Sequence, residues 1–134
     1  MSPGDVPDAV ARFLAAHIRS VMQLELLMLL SREPERWWTA DAAHRELRSS
    51  LEACAQDLRT LAKEGLAEVS TDPDIRYRYR LARPEDEPVM TRLSELFRTH
   101  FHSLVHAVYA ARRRDIQAFA DAFKLKKSGK DDDG

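Results

Sequence analysis

The sequence has one cysteine, Cys54, so no disulfide can close within the chain. That usage fits a reducing cytoplasm, where thiols stay free. Glycine is scarce as well, with four residues at positions 4, 65, 129 and 134. They build no Gly-rich phosphate loop, and no nucleophile has a base placed beside it, which argues against an enzyme. An excess of one charge is also missing. Lys and Arg number 21 against 22 Asp and Glu, for a net charge of −1. No global basic field draws nucleic acid to this chain, so any such surface must be a local patch. Long apolar runs are absent. The stretch from Leu24 to Leu30 is interrupted by Glu25 and falls far short of the ~20 residues that cross a bilayer. No signal-peptide pattern and no internal repeat is seen.

What is present is ordinary for a globular protein. The 134 residues are 44% hydrophobic and 32% charged. This length and balance suit one domain with a real core and room for an added helical layer.

The stretch from Thr39 to Leu81 carries the clearest pattern. It reads as helix, turn, helix, Gly stop, strand, tight turn, strand. Thr39 caps the first helix, with Asp41 in its first turn. Ala43 and Leu47 face inward, while His44, Arg45 and Arg48 face outward. Arg48-Ser49-Ser50 is the turn, and Ser49 with Glu52 fits a capping box. The second helix runs from about Ser50 to Glu64. Leu51, Cys54, Leu58 and Leu61 share one of its faces. Gly65 ends it in a left-handed conformation. Leu66 to Val69 begin a strand, Asp72-Pro73-Asp74 turns the chain, and Arg76 to Leu81 return in strict polar/apolar alternation.

Leu58-x-x-Leu61-x-x-x-Gly65-Leu66, with a hairpin after it and a helix before it, resembles the winged helix-turn-helix domains of bacterial MarR-like and PadR-like regulators. The resemblance covers about 20–82. It implies a transcriptional regulator that binds duplex DNA, and it makes Trp37-Trp38 the site of a short first strand.

Outside that stretch the chain is helical. Asp5 is placed to cap an N-terminal helix, with Pro7 in its first turn. Val10, Phe13, Leu14, His17, Ile18 and Val21 continue into Leu24, Leu27 and Met28 as one apolar stripe. One long helix, or two with Ser20 as the second cap, both satisfy the pattern. Glu33-Pro34-Glu35 is a connector. After the polar linker 83–88, a long amphipathic helix is predicted over 88–110, with a bend at 111–115 and a short helix capped by Asp115. Its wide apolar face calls for a second copy or the N-terminal helix. The oppositely charged blocks in 124–134 predict a disordered tail. The fold is therefore mainly α with a small β-hairpin: a 1–19 helical extension, a winged helix-turn-helix at 20–82, dimerisation helices at 83–123, and the tail.

The candidate DNA-reading residues follow from placement. The second helix presents Glu52, Ala53, Ala55, Gln56 and Arg59 outward, with Asp57 nearby. Gln56 suits adenine, Arg59 guanine or phosphate, and Glu52 the cytosine amino group. Two carboxylates there are unfavourable toward phosphates. On the hairpin, Arg76, Arg78 and Arg80 share one strand face, opposite Tyr77, Tyr79 and Leu81. Three guanidiniums in a row suit phosphate contact, and Arg45 and Arg48 add to them. Neutralising about five phosphates gives a log–log salt slope of roughly −4 to −5. One competing reading pairs these arginines with Glu64, Glu68 and Asp72 as a solvated face. Another, which the near-neutral net charge and the wide apolar face of the 88–110 helix suit, is a protein-interaction module without DNA binding.

Other residues carry weaker signals. His102 and His106 stand four apart on one helix face, a spacing able to bind a transition metal, but without a third ligand. Cys54 reads as a small buried apolar residue rather than a redox sensor. Phe97, Phe101, Tyr109, Phe119 and Phe123 read as core packing before a ligand pocket. No cofactor is implied. The function expected is sequence-dependent DNA binding by a homodimer, with Arg76, Arg78 and Arg80 on the backbone and Gln56 and Arg59 in the groove.

Overall fold

A computed structural model describes residues 6–132, with side chains through 124. The position of Asp5 lies outside them. The apolar stripe of the N-terminal half divides into two helices, α1 (Asp8–His17) and α2 (Val21–Arg32). Ser20 decides the question: it is extended, and its hydroxyl accepts a hydrogen bond from the Gln23 amide at 3.0 Å. The two helices meet at 107°. Leu24, Leu26, Leu27, Met28, Leu29 and Leu30 of α2 are all buried, so this helix forms the centre of the core. Each such side chain contributes about 1.5–3 kcal/mol on burial.

The connector around Pro34 leads to Trp38, which is 1% exposed. Its backbone exchanges two hydrogen bonds with Tyr77, of 2.7 and 2.8 Å, and so adds a short bridge beside the hairpin. Thr39 caps α3 (Ala40–Leu47) by accepting from the Ala42 amide at 3.1 Å. Arg48 then takes the left-handed conformation, at φ 55°. The cap of α4 (Leu51–Lys63) is Ser50, which accepts from the Ala53 amide at 3.1 Å. The box expected from Ser49 and Glu52 does not form: the cap falls one residue later because Arg48 spends a residue on the reversal, and Ala53, three residues after Ser50, has no carboxylate to bond back. Cys54, Leu58 and Leu61 are buried as expected. Leu51 is not: it is 48% exposed, since the first turn of α4 projects past the core.

Gly65 has φ 78° and closes α4. Strand β1 (Ala67–Ser70) pairs antiparallel with β2 (Arg76–Tyr79), with Glu68 opposite Arg78 and Val69 opposite Tyr77. The molecule is mainly α with one two-stranded hairpin, a winged helix-turn-helix flanked by N- and C-terminal helices.

The C-terminal helices break elsewhere than the sequence predicted. α5 (Asp86–Thr99) starts inside the linker, and α6 (Phe101–Asp132) follows after His100. His100 leaves helical geometry at φ −135° and ψ 46°. The Thr99 hydroxyl, next to the break, bonds back to the Glu95 carbonyl at 2.9 Å. No bend occurs at 111–115, and Asp115 caps nothing, because three arginines are good helix formers and continue α6. α6 stays helical to Asp132, so the tail expected from 124 does not begin there, and 133–134 lie outside the described residues. α1 packs against both α5 and α6. Among the described residues no single helix is long and apolar enough to cross a membrane.

Candidate nucleic-acid interface

The helix-turn-helix is held by short polar contacts at its turn. His44 donates from Nδ1 to the Ser49 carbonyl at 2.9 Å, and the Ser49 amide returns to the His44 carbonyl at 3.2 Å. His44 Nε2 lies 3.4 Å from the Asp41 carboxylate. This side chain, expected to face solvent, locks the angle between α3 and α4 instead.

On α4, Glu52, Gln56 and Arg59 are exposed and spaced by four and three, so they share one face. Lys63 extends that face by one turn and is also exposed. The sequence reading missed Lys63, although its position four after Arg59 marked it. Ala53 is exposed beside Glu52, and Ala55 is half-buried. Asp57 is half-buried too, and desolvation raises its carboxyl pKa. It stands off the outward face, so one of the two feared carboxylates is turned away. Arg48 is exposed at the turn. Among the described residues Arg48, Arg59 and Lys63 make no ion pair.

The other candidate arginines, Arg45, Arg76, Arg78 and Arg80, are engaged. Arg45 pairs with Asp41 one turn back on α3. Arg76 donates from Nε to Asp74 at 2.6 Å. Arg78 donates from Nε to Glu68 at 2.7 Å and again from a terminal nitrogen, while the Arg80 guanidinium reaches the same carboxylate at 3.3 Å. Arg78 also rests over the Trp37 ring, 4.5 Å from its centroid, and lies 3.9 Å from Glu35. These hydrogen bonds and the two positive charges hold the Glu68 carboxyl below the usual carboxylate range. The acids are thus Glu68, Asp74 and Glu35. Of the three expected partners, Glu64 turns to His17 at 2.9 Å and Asp72 pairs with none of the wing arginines.

Between the wing and the α2–α3 connector lies an open groove of about 310 Å³, lined by Pro34, Glu35, Glu68, Arg78, Tyr79 and Arg80. Burial, then the Glu87 and Asp86 carboxylates, raise the Tyr79 phenol pKa. The wing tip is acidic and apolar: Asp72, Asp74 and Ile75 are exposed, Ile75 at 60%.

The far end of α4 is tied to the rest of the fold through Arg83. This residue donates to the Glu64 carbonyl at 2.7 Å and to Asp86 at 2.8 Å, and lies 3.5 Å from His17 Nε2. Among the described residues no group of three or more His, Cys, Asp or Glu is arranged to hold a metal ion. His102 and His106 remain an exposed pair on α6.

No family model matches the chain, and no curated protein matches it. A search of solved structures finds a "Possible transcriptional regulator from Methanosarcina mazei Go1", which superimposes with a TM-score of 0.46 and 12% identity over 74% of this chain and 85% of that one. A likeness at that level assigns neither a family nor a function.

Proposed function

We propose that this chain is a DNA-binding regulator of transcription, acting in the cytoplasm as a homodimer through its winged helix-turn-helix. The observation that carries the reading is the unpaired cationic face of α4 and its turn. Gln56, Arg59 and Lys63 are exposed in one line, with Arg48 at the turn. A helix so placed enters a major groove with its N-terminal residues at base edges. Gln56 reads adenine, Arg59 reads guanine, and Glu52 accepts from cytosine. Arg48 and Lys63 hold phosphates. Arg45, Arg76, Arg78 and Arg80 join them by exchanging surface carboxylates for phosphates. The Arg45 and Arg76 pairs are exposed and worth only about 0–1 kcal/mol, so their exchange costs little, whereas Arg78 and Arg80 leave the half-buried Glu68 at a greater cost.

The wing favours a second reading. Its arginines are occupied by acids, and its tip presents Asp72, Asp74 and Ile75 rather than cations. That surface suits a protein partner and repels a phosphate backbone. Selection of genomic duplex fragments on the immobilised protein separates the two. Recovery of a shared sequence motif supports the regulator. Recovery of none at low salt moves the assignment to a protein-interaction module.

A further inference from the structure

One large apolar side chain of α4 lies outside the core. Leu51 is 48% exposed, whereas Cys54, Leu58 and Leu61 of the same helix are buried. Leu51, Ala55, Arg59 and Lys63 follow one another at every fourth residue. They form one ridge that climbs roughly 6 Å and turns roughly 40° at each step. The ridge changes character along its length. Its first two members are apolar, Leu51 exposed and Ala55 half-buried. Its last two, Arg59 and Lys63, are exposed cations that make no ion pair among the described residues. Beside the apolar end stands the polar ridge of Glu52 and Gln56.

We infer that Leu51, with Ala55 behind it, packs on the C5 methyl of a thymine in the major groove. The inference rests on the DNA-binding reading above and adds the base that this end of α4 selects. The cations choose the occupant. A surface lying along the ridge must offer an apolar group to Leu51 and negative charge to Arg59 and Lys63, roughly 12 and 18 Å further along the helix axis. The major groove offers both, because phosphates flank its base edges and thymine is the one unmodified base that shows a methyl there. A helix entering the groove meets base edges with its N-terminal residues, and the backbone with residues further back. Apolar first and cationic last is the order which that geometry requires. Glu52 and Gln56 bear the hydrogen-bonding groups. Leu51 and Ala55 carry no side-chain donor or acceptor, so they discriminate bases through the methyl alone. Burying one methyl is worth a factor of about four in affinity.

The test uses the full chain and synthetic duplexes carrying the motif recovered by selection of genomic fragments. These duplexes hold no methylated cytosine, so thymine supplies every C5 methyl. Each thymine is replaced in turn by uracil, which removes the methyl and leaves every hydrogen-bonding group in place. At one or more positions the replacement should weaken wild-type binding roughly fourfold and leave Leu51→Ala binding unchanged. Leu51→Ala should itself bind the thymine duplex roughly fourfold more weakly, with the wild-type log–log salt slope, since no phosphate contact is lost. Its fold should persist, which circular dichroism checks, because Leu51 is 48% exposed and alanine is the best helix former. Leu51→Met keeps an apolar contact and should keep the uracil penalty, which preserves the test if Leu51→Ala binds too weakly to measure. No uracil effect at any position, or the same effect in wild type and Leu51→Ala, overturns the methyl contact while leaving DNA binding standing. A shallower salt slope in Leu51→Ala also overturns it, because the side chain then acts by holding the cations in place. A selection that recovers no motif removes the regulator reading and this inference together.

Discussion

Glu68 and Arg78 stand opposite each other in the hairpin, and Arg78 places two hydrogen-bond donors on one oxygen of that carboxylate. Arg80 binds the other oxygen. One acid therefore neutralises much of the wing. Removing it should free two cations. Glu68→Gln is expected to tighten binding to duplex DNA and to steepen the log–log salt slope by roughly 1–2. Anisotropy titrations at four salt concentrations check it. An unchanged slope means that the wing does not touch the backbone.

The same carboxylate makes stability depend on acid. Its pKa in the folded chain lies below the ordinary value of 4.5, chiefly through the hydrogen bond from Arg78. A group lowered by folding contributes fully above its unfolded value, and the contribution is lost as pH falls through the folded one. The melting temperature of the wild type should therefore decline below about pH 4.5 more steeply than that of Glu68→Gln. Parallel curves would remove the pair from the stability of the wing.

Among the described residues, Gly65 is the one glycine whose backbone requires it. At φ 78°, an added Cβ would lie 3.0 Å from Arg83 Nη1 and 3.1 Å from the Ala82 Cβ. Gly65→Ala is expected to destabilise the fold by about 1–2 kcal/mol. It should also loosen Arg83 from the end of α4. Urea denaturation measures the first. A variant as stable as the wild type would contradict the close approach.

Cys54 is 1% exposed, and burial raises its thiol pKa. It should not react with a thiol reagent such as a disulfide dye in the native protein, and should react once in denaturant. Rapid labelling of the native protein would reopen a redox role.

The sequence made the winged stretch legible because each of its elements carries its own stop signal. Ser20, Thr39 and Gly65 mark boundaries by local chemistry, and the structure puts each where its side chain or φ demands. The capping residue of α4 was misplaced by one because a left-handed Arg48 leaves no trace in a pattern of polar residues. The C-terminal half was read less well. Apolar spacing runs unbroken from Val89 to Tyr109, so nothing marked the break at His100, which depends on how α5 and α6 both fit α1. At the site, outward positions on α4 were readable from periodicity. The pairing of the wing was not, since Glu35 and Trp37 reach Arg78 only through the fold.

The most direct test of the account concerns the cations that no acid occupies. Duplex from the gene's own upstream region, labelled for anisotropy, should bind the wild type with an affinity that falls steeply with salt. Arg48→Ala combined with Arg59→Ala should weaken binding at least tenfold and reduce the log–log slope by roughly 2. The fold should be unchanged, since both side chains are exposed. Equal binding by the double variant and the wild type, with the same salt slope, would contradict DNA contact through the helix-turn-helix.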